Sequence, residues 1–342
     1  MKSKKLSSFI LIVLTFIVLF LLVKDNYKEI FSVLIHANLF WIIIAIIFYI
    51  LYLLFQTITF WDFSKIYDKN IKFTYIFYII IVTNFFNGIT PLASGGQPLQ
   101  VYELHKKNIS TVNATNIVIQ NSIIYQISLV LWAIIGIIIN RTFNLFPVNK
   151  ILRNMCATGL LLNIILLLFF IIISFSKNFN KKLVNLIINI FEKIKLVKNK
   201  NETSIKWNKV CSDFYENSKL LLNNKLLVLK NIIVLTLAFS FFYSIPFFLA
   251  YAINCGENLT FITSMIICSY VFLSSNYLPI PGATGGMEYS FINYYKGFVT
   301  GFNLNSLLIL WRIITYYLPT IIGGLLFTSN SIKHPNLKKE EI

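Results

Sequence analysis

Two ionisable residues sit in apolar surroundings. Glu288 opens a short segment in Gly285-Gly286-Met287-Glu288, and Arg312 lies within the last long apolar run, eight residues past its start at Leu304. A charge at bilayer depth is costly and marks a functional candidate. The two are expected to face one cavity and to pair. Arginine's planar fork suits bidentate contact with a phosphate. The plainer alternative is an ion pair that only locks the local structure.

The turn before Glu288 has a counterpart. Pro91-Leu92-Ala93-Ser94-Gly95-Gly96 and Pro281-Gly282-Ala283-Thr284-Gly285-Gly286 both read P-x-A-[S/T]-G-G, 190 residues apart. Each follows a helix rich in Asn and aromatics, with Asn84, Phe85, Phe86 and Asn87 before one and Asn276 and Tyr277 before the other. Each precedes a short amphipathic segment, Leu99–Leu104 or Tyr289–Tyr295. Pro and Gly-Gly also break helices at ordinary loops. Six matching positions inside apolar sequence point instead to broken helices, which survive in a bilayer only when buried in protein or lining a wet cavity. Gly95, Gly96, Gly285 and Gly286 are expected to present free N–H groups at the starts of half-helices. Such groups attract anions, and glycine lets a ligand approach without a Cβ in the way. A lipid phosphate is the obvious anion.

Gln97 and Glu103 are the polar residues of the first half-helix, although Glu103 lies close to Lys106 and Lys107 and could be only interfacial. Asn113, Asn116 and Gln120 recur on one helix face. With Asn84, Asn87 and Asn276 they are candidates to line a pathway, the alternative being hydrogen-bonding between helices. Trp311, Tyr316 and Tyr317 read as packing or interface residues. Cys156, Cys211, Cys255 and Cys268 have neither metal-type spacing nor obvious pairing, and the histidines are scattered. No metal site or cofactor is expected. Neither a Ser/His/Asp set nor a nucleotide-binding loop is found, so no catalytic residue is assigned.

The elements that must position these residues are membrane helices. The 342-residue chain is 57% hydrophobic and only 13% charged, with a mean hydropathy of +0.72, whereas soluble domains are about 25% charged. Apolar runs of spanning length cover Leu6–Val23, Leu39–Phe60, Phe73–Thr90, Val112–Ile139, Leu152–Phe175, Ile232–Ile253, Leu259–Leu278 and Leu304–Phe327. The first is too long for a signal-peptide core and lacks a cleavage site, so it reads as a retained helix. A net charge of +17 in a soluble protein would suggest nucleic acid. Here lysines gather in loops, as cytoplasmic loops require, and no direct nucleic-acid binding is expected.

Charge also sets topology. Lys2, Lys4 and Lys5 place the N-terminus inside, as do Lys333, Lys338 and Lys339 for the C-terminus. The hydrophilic stretch 176–224 holds ten lysines against Glu192, Glu202, Asp213 and Glu216. Basic residues flank both ends of Phe73–Thr90, while Leu259–Leu278 lies between neutral loops. The expected fold is therefore an all-α integral membrane protein of six full spans and two re-entrant helical hairpins. The hairpins enter from opposite faces, which is the mark of an inverted-topology repeat with its site near the midplane. Repeat 1 covers about 6–175, the cytoplasmic linker 176–224 and repeat 2 about 226–328. On this scheme 23 basic residues lie inside and six outside, with Arg312 in the membrane.

Three strings bring a family into view: Gly95-Gly96-Gln97-Pro98-Leu99-Gln100-Val101-Tyr102, Leu278-Pro279-Ile280-Pro281-Gly282-Ala283-Thr284-Gly285-Gly286-Met287-Glu288, and Trp311-Arg312-Ile313-Ile314-Thr315-Tyr316-Tyr317. They resemble the membrane domain of lysylphosphatidylglycerol synthase/flippase proteins of the MprF type, over about residues 5–330. The resemblance implies a bacterial plasma-membrane flippase that moves aminoacylated phosphatidylglycerol outward, lowering negative surface charge and resisting cationic antimicrobial peptides. In full-length relatives a soluble domain transfers lysine from lysyl-tRNA. About 15 residues follow the last apolar run, so no such domain is expected here. Glu288 and Arg312 match the family pattern. Gln97 stands where many relatives carry Glu, and Gln120-Asn121 where a Glu-Arg pair is common, so the headgroup is open to difference from the lysyl form.

Handling of an anionic or aminoacylated phospholipid without covalent chemistry is the leading expectation. One alternative is the lysyltransferase itself, or its membrane half acting with a separate soluble aminoacyltransferase. Against it, 49 residues in 176–224 are too few for a tRNA-using domain. A transporter of another amphiphile, such as a polyprenyl-linked sugar, is a third reading.

Overall fold

The computed structural model describes residues 27–193 and 200–333. The first apolar run, Leu6–Val23, and the charges at Lys2, Lys4, Lys5, Lys338 and Lys339 lie outside the described residues. Within them every regular element is helical. In chain order these are α1 (Tyr27–Ile35), α2 (Leu39–Ser64), α3 (Phe73–Ile89), α4 (Gly96–His105), α5 (Thr111–Phe143), α6 (Lys150–Phe175), α7 (Lys177–Lys193), α8 (Lys200–Asn223), α9 (Lys225–Ala252), α10 (Phe261–Ser275), α11 (Gly286–Tyr295), α12 (Gly301–Arg312) and α13 (Leu318–Lys333). A π turn, Ile313–Tyr317, joins α12 to α13 into one long rod.

Polar caps mark where the long helices begin. The side chains of Asn38, Ser110, Asn149, Asn224 and Thr260 each accept from a backbone N–H in the first turn of α2, α5, α6, α9 and α10. Each satisfies one donor the helix leaves orphaned. Five helical stretches, Leu39–Ser64, Thr111–Phe143, Lys150–Phe175, Lys225–Ala252 and Gly301–Ser329, are long and apolar enough to cross a bilayer. Their outward faces are greasy. Leu39, Phe40, Ile43 and Ile47 on α2, and Leu161, Ile165 and Leu168 on α6, are exposed. Such surfaces suit lipid, not water. The protein is an all-α, multi-pass membrane protein.

The core is built around α9, more than half buried along its apolar stretch. Its most extensive partner is α2, across an aromatic seam in which Phe48 meets Phe248 at 4.5 Å and Tyr52 meets Phe242 at 4.8 Å between ring centroids. Such pairs add to simple area burial. On the other side, α3 packs along α13, where a Cβ at Gly323 would lie 2.6 Å from the Ile81 carbonyl oxygen.

Two helix–turn–helix units stand out within this frame. Helices α3 (17 residues) and α10 (15 residues) are each followed by a one-turn 3₁₀ segment, Pro91–Ala93 directly after α3 and Pro281–Ala283 five residues after α10, and then by a 10-residue helix. The turns adopt the same left-handed path: Leu92 and Gly282 have φ of 56° and 61°, Ala93 and Ala283 of 51° and 48°. Three of these four residues are not glycine, so each pays about 1–2 kcal/mol for that region. Backbone held there by surrounding structure is a feature of functional sites. The turns touch each other, and the second also packs on α3.

Elements outside the expected spans also appear. Helix α1 follows the first run and packs on α12. The hydrophilic stretch 176–224 folds into α7 and α8, and α8 lies against α5 and α6. It holds there because Phe214 and Ser218 turn a buried face inward among the lysines.

Candidate functional site

Glu288 stands in the first turn of α11 and Arg312 at the end of α12, both about 96% buried. The Glu288 carboxylate is fully engaged. Its Oε2 accepts the Gly285 N–H at 2.6 Å, which holds the helix start, and its Oε1 accepts Arg312 Nε at 2.6 Å. Arg312 Nη2 contacts the same Oε1 and donates to the Gly282 carbonyl at 3.0 Å. The guanidinium carbon lies 4.8 Å from the centre of the Tyr316 ring. Tyr316 in turn donates to the Gly88 carbonyl at 3.0 Å, so one side chain braces the end of α3 against the second turn. Gly282 is required there: its φ is +61°, and a Cβ would overlap the Tyr316 ring.

Arg312 faces a cavity of about 170 Å³ at the meeting of the two turns. Leu92 and Ala93 come from the first turn, Gly282 and Ala283 from the second. Asn84 and Asn87 on α3, Asn276 after α10, Tyr49 and Tyr52 on α2, Tyr125 on α5 and Trp311, Thr315, Tyr316 and Thr320 on the last rod complete its polar lining. Two donors there have no partner, Asn84 Nδ2 and Trp311 Nε1. A buried donor without a partner is costly, so in a native fold it asks for a ligand or water. Arg312, which borders the cavity, lies about 17 Å along the rod from Gly301.

The family model described as the lysylphosphatidylglycerol synthase TM region matches residues 8–323. The chain belongs to this family. A curated Mycoplasma genitalium protein, described as uncharacterized protein MG306, is 22% identical over 330 residues, covering 89% of this chain and 81% of that protein. The lysylphosphatidylglycerol synthase TM region is named for a lipid, and its match spans both turns, Glu288 and Arg312 alike.

In this family member the structure sorts the candidate residues. Asn84, Asn87, Asn276 and Arg312 converge on the cavity, with Glu288 directly behind Arg312. The glycine amides do not act as expected. Gly95 N–H is taken by Thr90 Oγ1 at 2.9 Å, Gly96 N–H by Asn87 Oδ1 at 3.0 Å and Gly285 N–H by Glu288. The helix starts are already capped by side chains, and it is Leu92-Ala93 and Gly282-Ala283, the two residues after each turn's proline, that border the cavity. Neither Gly286 nor exposed Gln97 lines it. Glu103 is buried elsewhere, accepting from Tyr75 Oη at 2.8 Å and Lys106 Nζ at 2.8 Å. The face Asn113, Asn116 and Gln120 is interhelical: Asn113 accepts from Asn217, Asn116 donates to the Phe214 carbonyl and Ser218 Oγ, and Gln120 donates to Ser174 Oγ. Those contacts dock α8 and α6 on α5.

Trp311 and Tyr316, which in the sequence read as packing residues, both line the cavity. The signal was their spacing from Arg312, one residue before and four after, which puts Tyr316 on its face. Tyr49, Tyr52 and Tyr125 gave no such signal, because tyrosines in apolar helices occur for many reasons.

Proposed function

We propose that the chain is a flippase-like lipid carrier that takes the headgroup of phosphatidylglycerol, or of its aminoacylated (lysyl) form, into the cavity between the two turns and passes it between leaflets. The observation that carries this reading is the convergence of two like-folded, strained turns and a buried Arg312–Glu288 pair on one polar cavity among apolar helices. A phosphate cannot cross hydrocarbon bare. A midplane cavity with a guanidinium and spare donors replaces its water, while the acyl chains stay in lipid. Movement of either lipid alters leaflet surface charge, and so sensitivity to cationic antimicrobial peptides.

The proposed topology is six crossings, Leu6–Val23 included, and two re-entrant hairpins from opposite faces, with both termini in the cytoplasm of a bacterial cell. Repeats 6–175 and 226–328 then flank a cytoplasmic segment. Strained turns bearing on each other suit a rocking motion of one repeat against the other.

The test is reconstitution of the purified chain in liposomes with labelled phosphatidylglycerol and lysyl-phosphatidylglycerol, scoring both leaflet movement and lipid synthesis. Movement without net synthesis is expected, and Arg312→Ala should abolish it with total lipid unchanged. Synthesis without movement would overturn the proposal.

A further inference from the structure

The groups around the cavity are unbalanced in charge. Among the described residues no aspartate or glutamate lines it, and Arg312 is its only cationic lining residue. The nearest carboxylate, Glu288, has both oxygens committed to Arg312 and the Gly285 N–H. Two further acids on the helices are spent elsewhere, Glu103 on Lys106 and Tyr75 and Asp62 on Lys230. The Asn87 carbonyl, an obvious neutral acceptor, already serves Gly96. Two fully buried donors beside it have no partner: Trp311 Nε1, on a side chain only 1% exposed, and Asn84 Nδ2. Space is limited too. About 170 Å³ falls below the roughly 300–1,000 Å³ of sites that hold drug-sized ligands.

We infer that this cavity takes the phosphodiester of an anionic phospholipid whose headgroup carries no positive charge, phosphatidylglycerol being the type, and rejects the lysyl ester. The inference rests on the lipid-headgroup reading above and narrows it. Trp311, Asn84 and the Arg312 guanidinium together offer donors to a phosphate's oxygens, and charge-assisted bonds of that kind are the strong ones. Two ammonium groups of a lysyl headgroup would find no free carboxylate, would face Arg312, and would be desolvated without a counter-ion. The neutral residues Gln97 and Gln120 lie outside the cavity and add no charge.

The experiment measures the thermal stabilisation of the purified full chain in detergent by four probes: phosphatidylglycerol, lysyl-phosphatidylglycerol, phosphatidylcholine and inorganic phosphate. Apparent affinities follow from the concentration dependence. Phosphatidylglycerol should bind more than about tenfold more tightly than its lysyl ester, because like charges in juxtaposition are penalised. Trp311→Phe keeps the ring stacked 4.8 Å from Phe291 and removes only the N–H, so phosphatidylglycerol affinity should fall about tenfold with lysyl-lipid affinity unchanged. Asn84→Asp, nearly isosteric, should reverse the order of the two lipids. Equal or tighter binding of the lysyl ester by the unaltered chain would overturn the inference and leave the lipid-site reading standing. Inorganic phosphate binding as tightly as phosphatidylglycerol would assign the site to a soluble anion and overturn the inference. Neither anionic nor lysyl lipid exceeding phosphatidylcholine would sink both readings.

Discussion

Replacing Glu288 by Gln keeps the side chain's shape and removes its charge. In the native fold the carboxylate answers two donors, Arg312 and the Gly285 N–H, at 2.6 Å each. The amide can satisfy one of them with its oxygen, and its NH₂ then confronts the other donor. Arg312, only 4% exposed, is left as a buried unpaired cation. Breaking a buried pair from one side costs about 3–5 kcal/mol, equivalent to roughly a hundred- to several-thousand-fold in the folding equilibrium. Exchanging both partners for apolar residues of similar volume is near neutral by the same physics. Glu288→Leu with Arg312→Met removes the unpaired charge but leaves the Gly285 N–H and the Gly282 carbonyl without their partners, so it should recover only part of the lost stability while leaving lipid movement abolished. Reversible unfolding in mixed detergent micelles measures the first quantity and the liposome leaflet assay the second. A loss below about 1 kcal/mol for Glu288→Gln, the scale of an exposed pair, would refute the argument that this pair is dry and mutually dependent. Restored movement in the double variant would refute a role for the charge in carrying lipid.

Other perturbations give independent checks. Gly282→Ala forces a Cβ into the Tyr316 ring at a φ of +61° and should lower stability by at least about 1–2 kcal/mol, with loss of lipid movement in the same assays. Tyr316→Phe removes the bond to the Gly88 carbonyl and should cost about 0.5–1.5 kcal/mol in micelle unfolding. Asn116→Ala removes two bonds that dock α8 on α5, so Cys211, buried on α8, should react faster with maleimide than in the unaltered chain. Burial raises the Cys211 thiol above its usual value, which leaves less thiolate at neutral pH. Its labelling rate in the native chain should still be climbing as pH passes the ordinary thiol range near 9, whereas release of α8 should bring the plateau to lower pH.

The helices were legible because apolar runs of spanning length admit few other folds, and the observed boundaries differ mainly where caps lie outside the apolar stretch. Helix α9 begins at Lys225, seven residues before its apolar run, since Asn224 supplies the cap. The P-x-A-[S/T]-G-G turns were legible because helix breakers at membrane depth are rare, and the pairing of Glu288 with Arg312 because buried charge needs a partner. Free glycine amides were a wrong expectation: nothing in the spacing disclosed that Thr90, Asn87 and Glu288 would reach back to cap them. The docking of α8 was hidden by lysine-rich composition, which masks the few buried contacts of its inner face. Tyrosines on α2 and α5 joined the cavity through tertiary packing, for which single-helix periodicity carries no signal.

Whether the two turns meet inside the membrane can be read directly from paired cysteines. Leu92→Cys and Ala283→Cys, in a background lacking the four native cysteines, place thiols on the same cavity from the two turns. A short bifunctional maleimide should join them in high yield in native vesicles, and the proposed lipid movement should stop as a result. Absence of a cross-link, with each thiol labelled freely from an opposite aqueous face, would contradict the convergence.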